Sequence, residues 1–195
     1  MTYTMQQKLT TEFIGTFFLS LTVCTAAVYG SAGDYAPFAI ASTLMVMIYA
    51  GGYISGAHYN PAVTVSIYLR GACDKDDVLP YIASQVIAAV SAALIVERLL
   101  FPGEPSPEIF ELGTEAVVAE LLFTFALVYV ILNVATTEST TGNGYYGAAI
   151  ALVVLAGAIT VGSISLGSFN PAVTSALITS GKISLADSWI HFVPQ

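Results

Sequence analysis

Apolar residues form five long runs along the chain, separated by short polar or glycine- and proline-containing stretches. Each run is close to the roughly 20 residues that an α-helix needs to cross about 30 Å of hydrocarbon. The runs predict membrane-spanning helices at about Leu9–Tyr29, Pro37–Ser55, Val78–Phe101, Glu115–Ala135 and Tyr145–Ser163. Asp187–Gln195 has the composition of the start of another span. We therefore expect a sixth helix that is truncated in this chain.

Two further apolar segments are too short to span a membrane. They cover Pro61–Leu69 and Pro171–Ile178, and each directly follows an asparagine. Proline suits the first position of a helix and asparagine can cap it, so both segments predict short helices. Backbone that breaks at membrane depth is tolerated only where it is buried in protein or lines a water-filled cavity. The pattern therefore indicates a pore bounded by two re-entrant half-helices.

The chain contains two copies of the same arrangement. The string NPAVT begins at Asn60 and again at Asn170, and EFIGTF from Glu12 is echoed by ELLFTF from Glu120. Each copy has three spans, an odd number, so the second must enter the membrane from the opposite side. We expect one channel domain over residues 1–195, built from inverted repeats at about 9–101 and 115–195, the second incomplete. Such repeats place the functional site near the bilayer midplane.

Composition supports a membrane protein and excludes other classes. Hydrophobic residues make up 56% of the chain and charged residues 9%, whereas a soluble domain carries roughly 25% charged residues. The formal net charge of −8 argues against nucleic acid as a partner, because phosphate binding needs basic patches. The sequence has no Cys/His metal spacing and no phosphate-binding loop. We therefore expect no enzyme activity, metal or cofactor, and we expect Cys24 and Cys73 to be free thiols.

The paired Asn-Pro-Ala motifs, glutamate-bearing helices and half-length segments resemble the aquaporin (major intrinsic protein) family of water and glycerol channels. The string SGAHYNPAVT from Ser55 is close to the usual first motif of that family, and the resemblance runs from Glu12 to about Trp189. It implies an all-α, six-helix bundle in membrane lipid, with one pore per subunit and usually a homotetramer. We expect a multi-pass protein of the plasma membrane or the cell inner membrane.

The two motifs are the predicted centre of the pore. The start of each half-helix presents unsatisfied N–H groups and about half a positive charge, so two such ends meeting at the midplane oppose cations. Each asparagine amide can also donate to a passing water, which hinders proton relay. Simple helix capping is the alternative, but it accounts poorly for a matched pair. The motif residues are Asn60, Pro61, Ala62, Asn170, Pro171 and Ala172.

Glu12 and Glu120 need partners, because a carboxylate in an apolar helix costs about 2.5–3.5 kcal/mol on insertion scales. The resemblance implies that they accept hydrogen bonds from the loops before the half-helices, and a proton-relay role is the alternative. It also implies that backbone carbonyls of these loops face the pore. The residues concerned are Gly56, Ala57, His58, Leu166, Gly167 and Ser168. His58 is either a pH-sensitive pore residue or a hydrogen-bonded packing residue.

The same resemblance assigns the selectivity constriction to Ile40, Ala158, Gly167 and Val173. Strictly water-selective members place an aromatic residue, a histidine and an arginine among these positions, and here Val173 stands where arginine is usual. We expect a wider and less polar ring. The sequence therefore predicts a passive channel for water and small uncharged solutes, with glycerol, urea, ammonia and hydrogen peroxide as candidates. The alternative is a structural or vestigial membrane protein without a sealed pore.

Overall fold

In the computed structural model, which describes residues 3–195, the chain forms helices joined by loops and contains no strand within that range. Five helices are long and apolar enough to cross a membrane, which confirms the predicted all-α membrane fold. These spanning helices are α1 (Met5–Thr22), α2 (Ala36–Ser55), α4 (Lys75–Ile95), α5 (Glu115–Ala135) and α6 (Tyr146–Ser165). Wider π-helical turns extend α1 over Val23–Val28 and α4 over Val96–Leu100.

Three shorter α-helices lie within the described residues, besides 3₁₀ turns at Gly33–Tyr35 and Glu138–Thr140. The half-helices are α3 (Pro61–Leu69) and α7 (Pro171–Thr179), each of nine residues. A single turn, α8, covers Trp189–Phe192 and packs against α5 and α7. The half-helices begin where the sequence predicts, because an asparagine caps each one and a proline occupies its first position.

Two spans begin earlier than their apolar runs. The polar residues before Leu9 are helical because Thr4 and Gln7 form a capping box: the Gln7 N–H donates to the Thr4 hydroxyl (3.3 Å), and the Thr4 N–H donates to Gln7 Oε1 (2.9 Å). α4 begins at Lys75 rather than Val78, with Asp76 and Asp77 in its first turn. Negative charge is favourable there because it complements the partial positive charge of the helix N-terminus.

Small residues allow the elements to approach closely. α4 packs against both α1 and α7, and its facing positions are alanines that are essentially fully buried: Ala88, Ala89, Ala92 and Ala93. Gly15 of α1 lies so close to the Tyr59 ring that a Cβ atom there would stand 2.2 Å from it. Short side chains at helix contacts are typical of membrane bundles, where close van der Waals packing replaces the hydrophobic effect. The packing thus fixes the half-helices and the loops before them.

Candidate pore

The loops that lead into the half-helices have an unusual backbone. Among residues 3–195, four residues other than glycine have positive φ, and all lie in these loops: Ala57 (52°), Tyr59 (50°), Leu166 (66°) and Phe169 (47°). The left-handed region is unfavourable for side chains that carry a Cβ atom, and such strain persists only where the surroundings impose it. Tyr59 and Phe169 each directly precede a motif asparagine, whereas Ala57 and Leu166 lie three and four residues before theirs. The residues that match Ala57 and Leu166 in the other half, Gly167 and Gly56, also have positive φ. An external constraint must therefore hold both loops.

Glu12 is the constraint on the first loop. Its Oε1 accepts hydrogen bonds from the Ser55 hydroxyl (2.6 Å) and the His58 N–H (3.0 Å). Its Oε2 accepts from the Tyr59 N–H (2.7 Å) and Gln85 Nε2 (2.8 Å). A carboxylate is a pure acceptor when ionised, and four donors surround this fully buried one. The contacts are those of a brace for the loop.

Glu120 has the same set of contacts in the second half. Its Oε1 accepts from the Ser165 hydroxyl (2.7 Å) and the Ser168 N–H (3.0 Å). Its Oε2 accepts from the Phe169 N–H (2.7 Å) and Gln195 Nε2 (2.8 Å). The partner residues match those of Glu12 one for one. Two loops of different sequence are thus held in the same way.

Sequence reasoning missed the serine and glutamine members of these braces, although a signal was present. Ser55 and Ser165 each lie five residues before the motif asparagine, and Gln85 and Gln195 each lie 25 residues after it. Aligning the two halves on their asparagines would have found both pairs. Polar residues that recur at one offset in two apolar repeats indicate a shared buried network.

The two motif asparagines cap their own helices and also bind the opposite loop. Asn60 Oδ1 accepts from the Ala62 N–H at 2.9 Å, and Asn170 Oδ1 accepts from the Ala172 N–H at 2.9 Å. Asn60 Nδ2 donates to the Phe169 carbonyl (2.9 Å), and Asn170 Nδ2 donates to the Tyr59 carbonyl (2.9 Å). Each amide has a second N–H, which these contacts leave available to a molecule in the pore.

A cavity of about 420 Å³ runs past both asparagines. The loop residues predicted to face the pore line it, and so do the four residues predicted to form the constriction: Ile40, Ala158, Gly167 and Val173. The other motif residues, Pro61, Ala62, Pro171 and Ala172, and both glutamates do not line it. The prolines and alanines form the first turns of the half-helices, and the glutamates bind the loops before them. Much of that wall is aliphatic, with Leu44, Ile48, Leu127, Ile131 and Val154 among its residues.

The four residues predicted to form the constriction bring no hydrogen-bonding side chain to the cavity. Val173 is in the first turn of α7, where its side chain is buried. Gly167 lies against α6, because a Cβ atom there would be 3.2 Å from Ala158 Cα, and its φ is +62°. Polar contacts at these four positions can therefore come only from backbone groups.

His58 lines the cavity and is also packed and hydrogen-bonded. Its Nδ1 lies 3.2 Å from the Thr64 hydroxyl, and its ring meets Tyr81 edge to face at 5.1 Å between centroids. The geometry fits both interpretations made from the sequence. In the second half Ser168 occupies this position, with its hydroxyl 2.8 Å from that of Thr174.

The two ends of the cavity are lined by polar loops that sequence reasoning did not identify. One end has Thr137, Thr140, Thr141 and Asn143, from the loop after α5. The other end has Lys182, from the loop after α7. The Phe110 N–H, before the start of α5, donates to the Lys182 carbonyl (2.8 Å). The two linings therefore lie near opposite ends of α5, which at 21 residues is about 30 Å long.

The positions of the cysteines predict poor inhibition by mercurials. Within residues 3–195 neither Cys24 nor Cys73 lines the cavity, and Cys24 is fully buried. We expect mercuric chloride to leave water permeability of reconstituted protein largely unchanged. Rapid, strong inhibition that is abolished by Cys24→Ser or Cys73→Ser would show that the pore runs elsewhere.

Comparison with known proteins gives consistent matches. The family model described as "Major intrinsic protein" matches residues 1–161. The chain is 34% identical over 204 residues to Aquaporin NIP1-4 of Oryza sativa subsp. japonica, covering 99% of this chain and 73% of that protein. It is 35% identical over 178 residues to Probable aquaporin NIP4-2 of Arabidopsis thaliana, covering 86% and 62% respectively. It is 32% identical over 214 residues to Aquaporin Z of Photorhabdus laumondii subsp. laumondii, covering 97% and 91%.

Proposed function

Because this chain belongs to the major intrinsic protein family of integral membrane channels for water and small solutes, we propose that it conducts water with weak discrimination against larger neutral solutes. Members of the family are passive channels, and the chain is not an enzyme. The candidate solutes besides water are glycerol, urea, ammonia and hydrogen peroxide. The observation that carries the proposal is that Ile40, Ala158, Gly167 and Val173, the predicted constriction residues, all line the cavity and offer no side-chain donor.

The distribution of polar groups supports passage of neutral solutes. Aliphatic side chains make up much of the wall, while asparagine amides and loop backbone supply polar contacts along it. A solute that leaves bulk water exchanges some hydrogen bonds for these groups and meets a weakly interacting wall elsewhere. Selectivity in such pores follows from diameter and from the donors and acceptors that line them. Without a charged or aromatic side chain at the constriction, solute size is the main basis of discrimination.

The two half-helices support exclusion of cations and protons. The reciprocal bonds of Asn60 and Asn170 hold the two N-termini next to each other. Each N-terminus carries the equivalent of about half a positive charge. A cation that enters this region therefore faces two dipole ends pointing at it, while a neutral molecule experiences no such net repulsion.

The arrangement is proposed to arise from inverted repeats at about 9–101 and 115–195, which together form one channel domain. The matching braces of Glu12 and Glu120 support this proposal. The cavity lies within a single chain, so conduction does not require a shared pore. We also propose a homotetramer in lipid, as is usual in the family.

Permeability of proteoliposomes tests the function. Stopped-flow shrinkage with sucrose should give a water permeability well above that of empty liposomes, and glycerol and urea should show measurable entry. Ala158→Trp should abolish these fluxes by filling the constriction. Leu152→Trp on the same helix is the matched control, because Leu152 is 56% exposed on the outer surface. Equal fluxes in wild type, both variants and empty liposomes would contradict the proposal.

A further inference from the structure

The cavity has one formally charged side chain in its lining within residues 3–195, that of Lys182. Lys182 follows the left-handed Gly181 after the end of α7. Its N–H donates to the Leu177 carbonyl (2.9 Å), and its Nζ donates to the Glu108 carbonyl (3.0 Å). The residue is half-buried and is anchored at both its backbone and its side chain. The loop thus places the positively charged Lys182 ammonium at the mouth of the cavity.

Among residues 3–195, no carboxylate forms an ion pair with the Lys182 ammonium. The ion pairs within 4.0 Å among the described residues are Lys8–Asp77 and His191–Glu120, and Lys182 takes part in neither. Its ammonium has three donors, of which one binds a neutral backbone carbonyl. The Lys182 charge is therefore not cancelled by a direct ion pair and contributes to the electrostatic potential at the mouth of the cavity. Salt ions in the solvent reduce that contribution.

Lys182 and the predicted constriction lie toward the same end of the cavity, and Lys182 is the farther of the two from the motif asparagines. Val173 is in the first turn of α7, and Lys182 comes three residues after that helix ends. The length of α7 separates them by on the order of 10 Å. That distance is comparable to the Debye length of about 8 Å at physiological ionic strength. A cation approaching from this side encounters the ammonium before it reaches the uncharged ring.

We propose that Lys182 is a charge-selecting residue of this channel, which repels monovalent cations from the mouth and leaves neutral solutes unaffected. The proposal rests on the proposed function, since it concerns what reaches the same pore. The neighbouring loop before α5 carries Glu104, Glu108 and Glu111, whose side chains do not line the cavity. The negative potential of these glutamates attracts cations to this end of the protein. The positive charge of Lys182 opposes the entry of those cations into the cavity.

Guanidinium and urea are suitable probes, because they are planar molecules of similar size that differ in charge. Their fluxes are measured in the same proteoliposomes for wild type, Lys182→Gln, Lys182→Arg and Lys182→Glu. Glutamine keeps a donor for the Glu108 carbonyl while removing the charge. We expect the guanidinium-to-urea ratio to rise about threefold or more in Lys182→Gln, and further in Lys182→Glu. Urea flux should stay unchanged, and Lys182→Arg should match wild type.

The effect should shrink in 1 M salt, where the Debye length falls to about 3 Å. A flux ratio that is the same in all four proteins overturns the proposal. Equal loss of urea and guanidinium flux in Lys182→Gln also overturns it, because Lys182 would then act only as a tether between loops. A wild type that passes neither water nor urea contradicts the proposed function itself, and that result is distinct from an unchanged ratio.

Discussion

Val173→Arg is expected to lower glycerol permeability at least about tenfold while water permeability falls by no more than about threefold. Arginine is much larger than valine, so it should narrow the predicted ring, whose other members, Ile40, Ala158 and Gly167, also line the cavity. Its guanidinium also supplies donors that a passing water can use. Water fits the narrowed opening and regains hydrogen bonds there, whereas glycerol is excluded by size. Both permeabilities are measured on wild type and variant in the same liposome preparation.

Val173→Leu separates size from polarity. Leucine adds volume without donors, so it should reduce glycerol flux by less than arginine and should not reduce cation leak. Val173→Ala should leave the water-to-glycerol ratio near that of wild type or lower it. If the arginine variant folds and its ratio equals that of wild type, then Val173 does not line the constriction and the assignment of the four positions is wrong.

Removing the Glu120 carboxylate, which braces the second loop, should substantially lower the free energy of unfolding of the protein. Glu120→Ala deletes the acceptor for the Ser168 and Phe169 N–H groups and leaves them buried without a partner. Each unsatisfied buried donor costs about 1–3 kcal/mol, so for the two N–H groups we expect the free energy of unfolding of the variant to fall by about 2–6 kcal/mol. Thermal unfolding in detergent measures the loss, and water permeability should fall with it.

Glu111→Ala is the matched control, because Glu111 is exposed on a loop and surface substitutions usually change stability by less than about 0.5 kcal/mol. Glu120→Gln should be intermediate, since an amide keeps one acceptor oxygen but points a donor at N–H groups. Equal unfolding of Glu120→Ala and Glu111→Ala would show that the brace does not hold the loop. A Glu120→Gln variant with wild-type stability and altered proton flux would favour the relay role.

The spans and half-helices could be predicted because their signals are local. Apolar length identifies the spans, and an Asn-Pro pair at the start of a short apolar segment identifies α3 and α7. The errors at helix starts have equally local causes. The capping box at Thr4 makes a polar turn helical, and an apolar run carries no information about such a turn.

The detailed geometry of the pore could not be predicted in the same way. Ala57 and Leu166 adopt left-handed backbone, which local preference assigns to glycine. Tertiary contacts impose that conformation, and the two acceptor oxygens of each glutamate supply them. The polar mouths were missed because the Thr137–Asn143 loop and Lys182 reach the cavity only through the folding of the whole bundle. A single sequence without an alignment carries no direct signal for such contacts.

The reciprocal bonds of the asparagines also determine the order in which the protein can assemble. Asn60 binds the carbonyl of Phe169, and Asn170 binds that of Tyr59, across 109 and 111 positions of the chain. Contacts of such long sequence separation form late, because the intervening chain must first be ordered. During synthesis Asn60 Oδ1 can cap its own helix at once, but we expect Asn60 Nδ2 to lack its Phe169 partner until the second half has inserted. Partly assembled chains of this kind expose unpaired polar groups, which makes them the species most open to misassembly and degradation before the pore is complete.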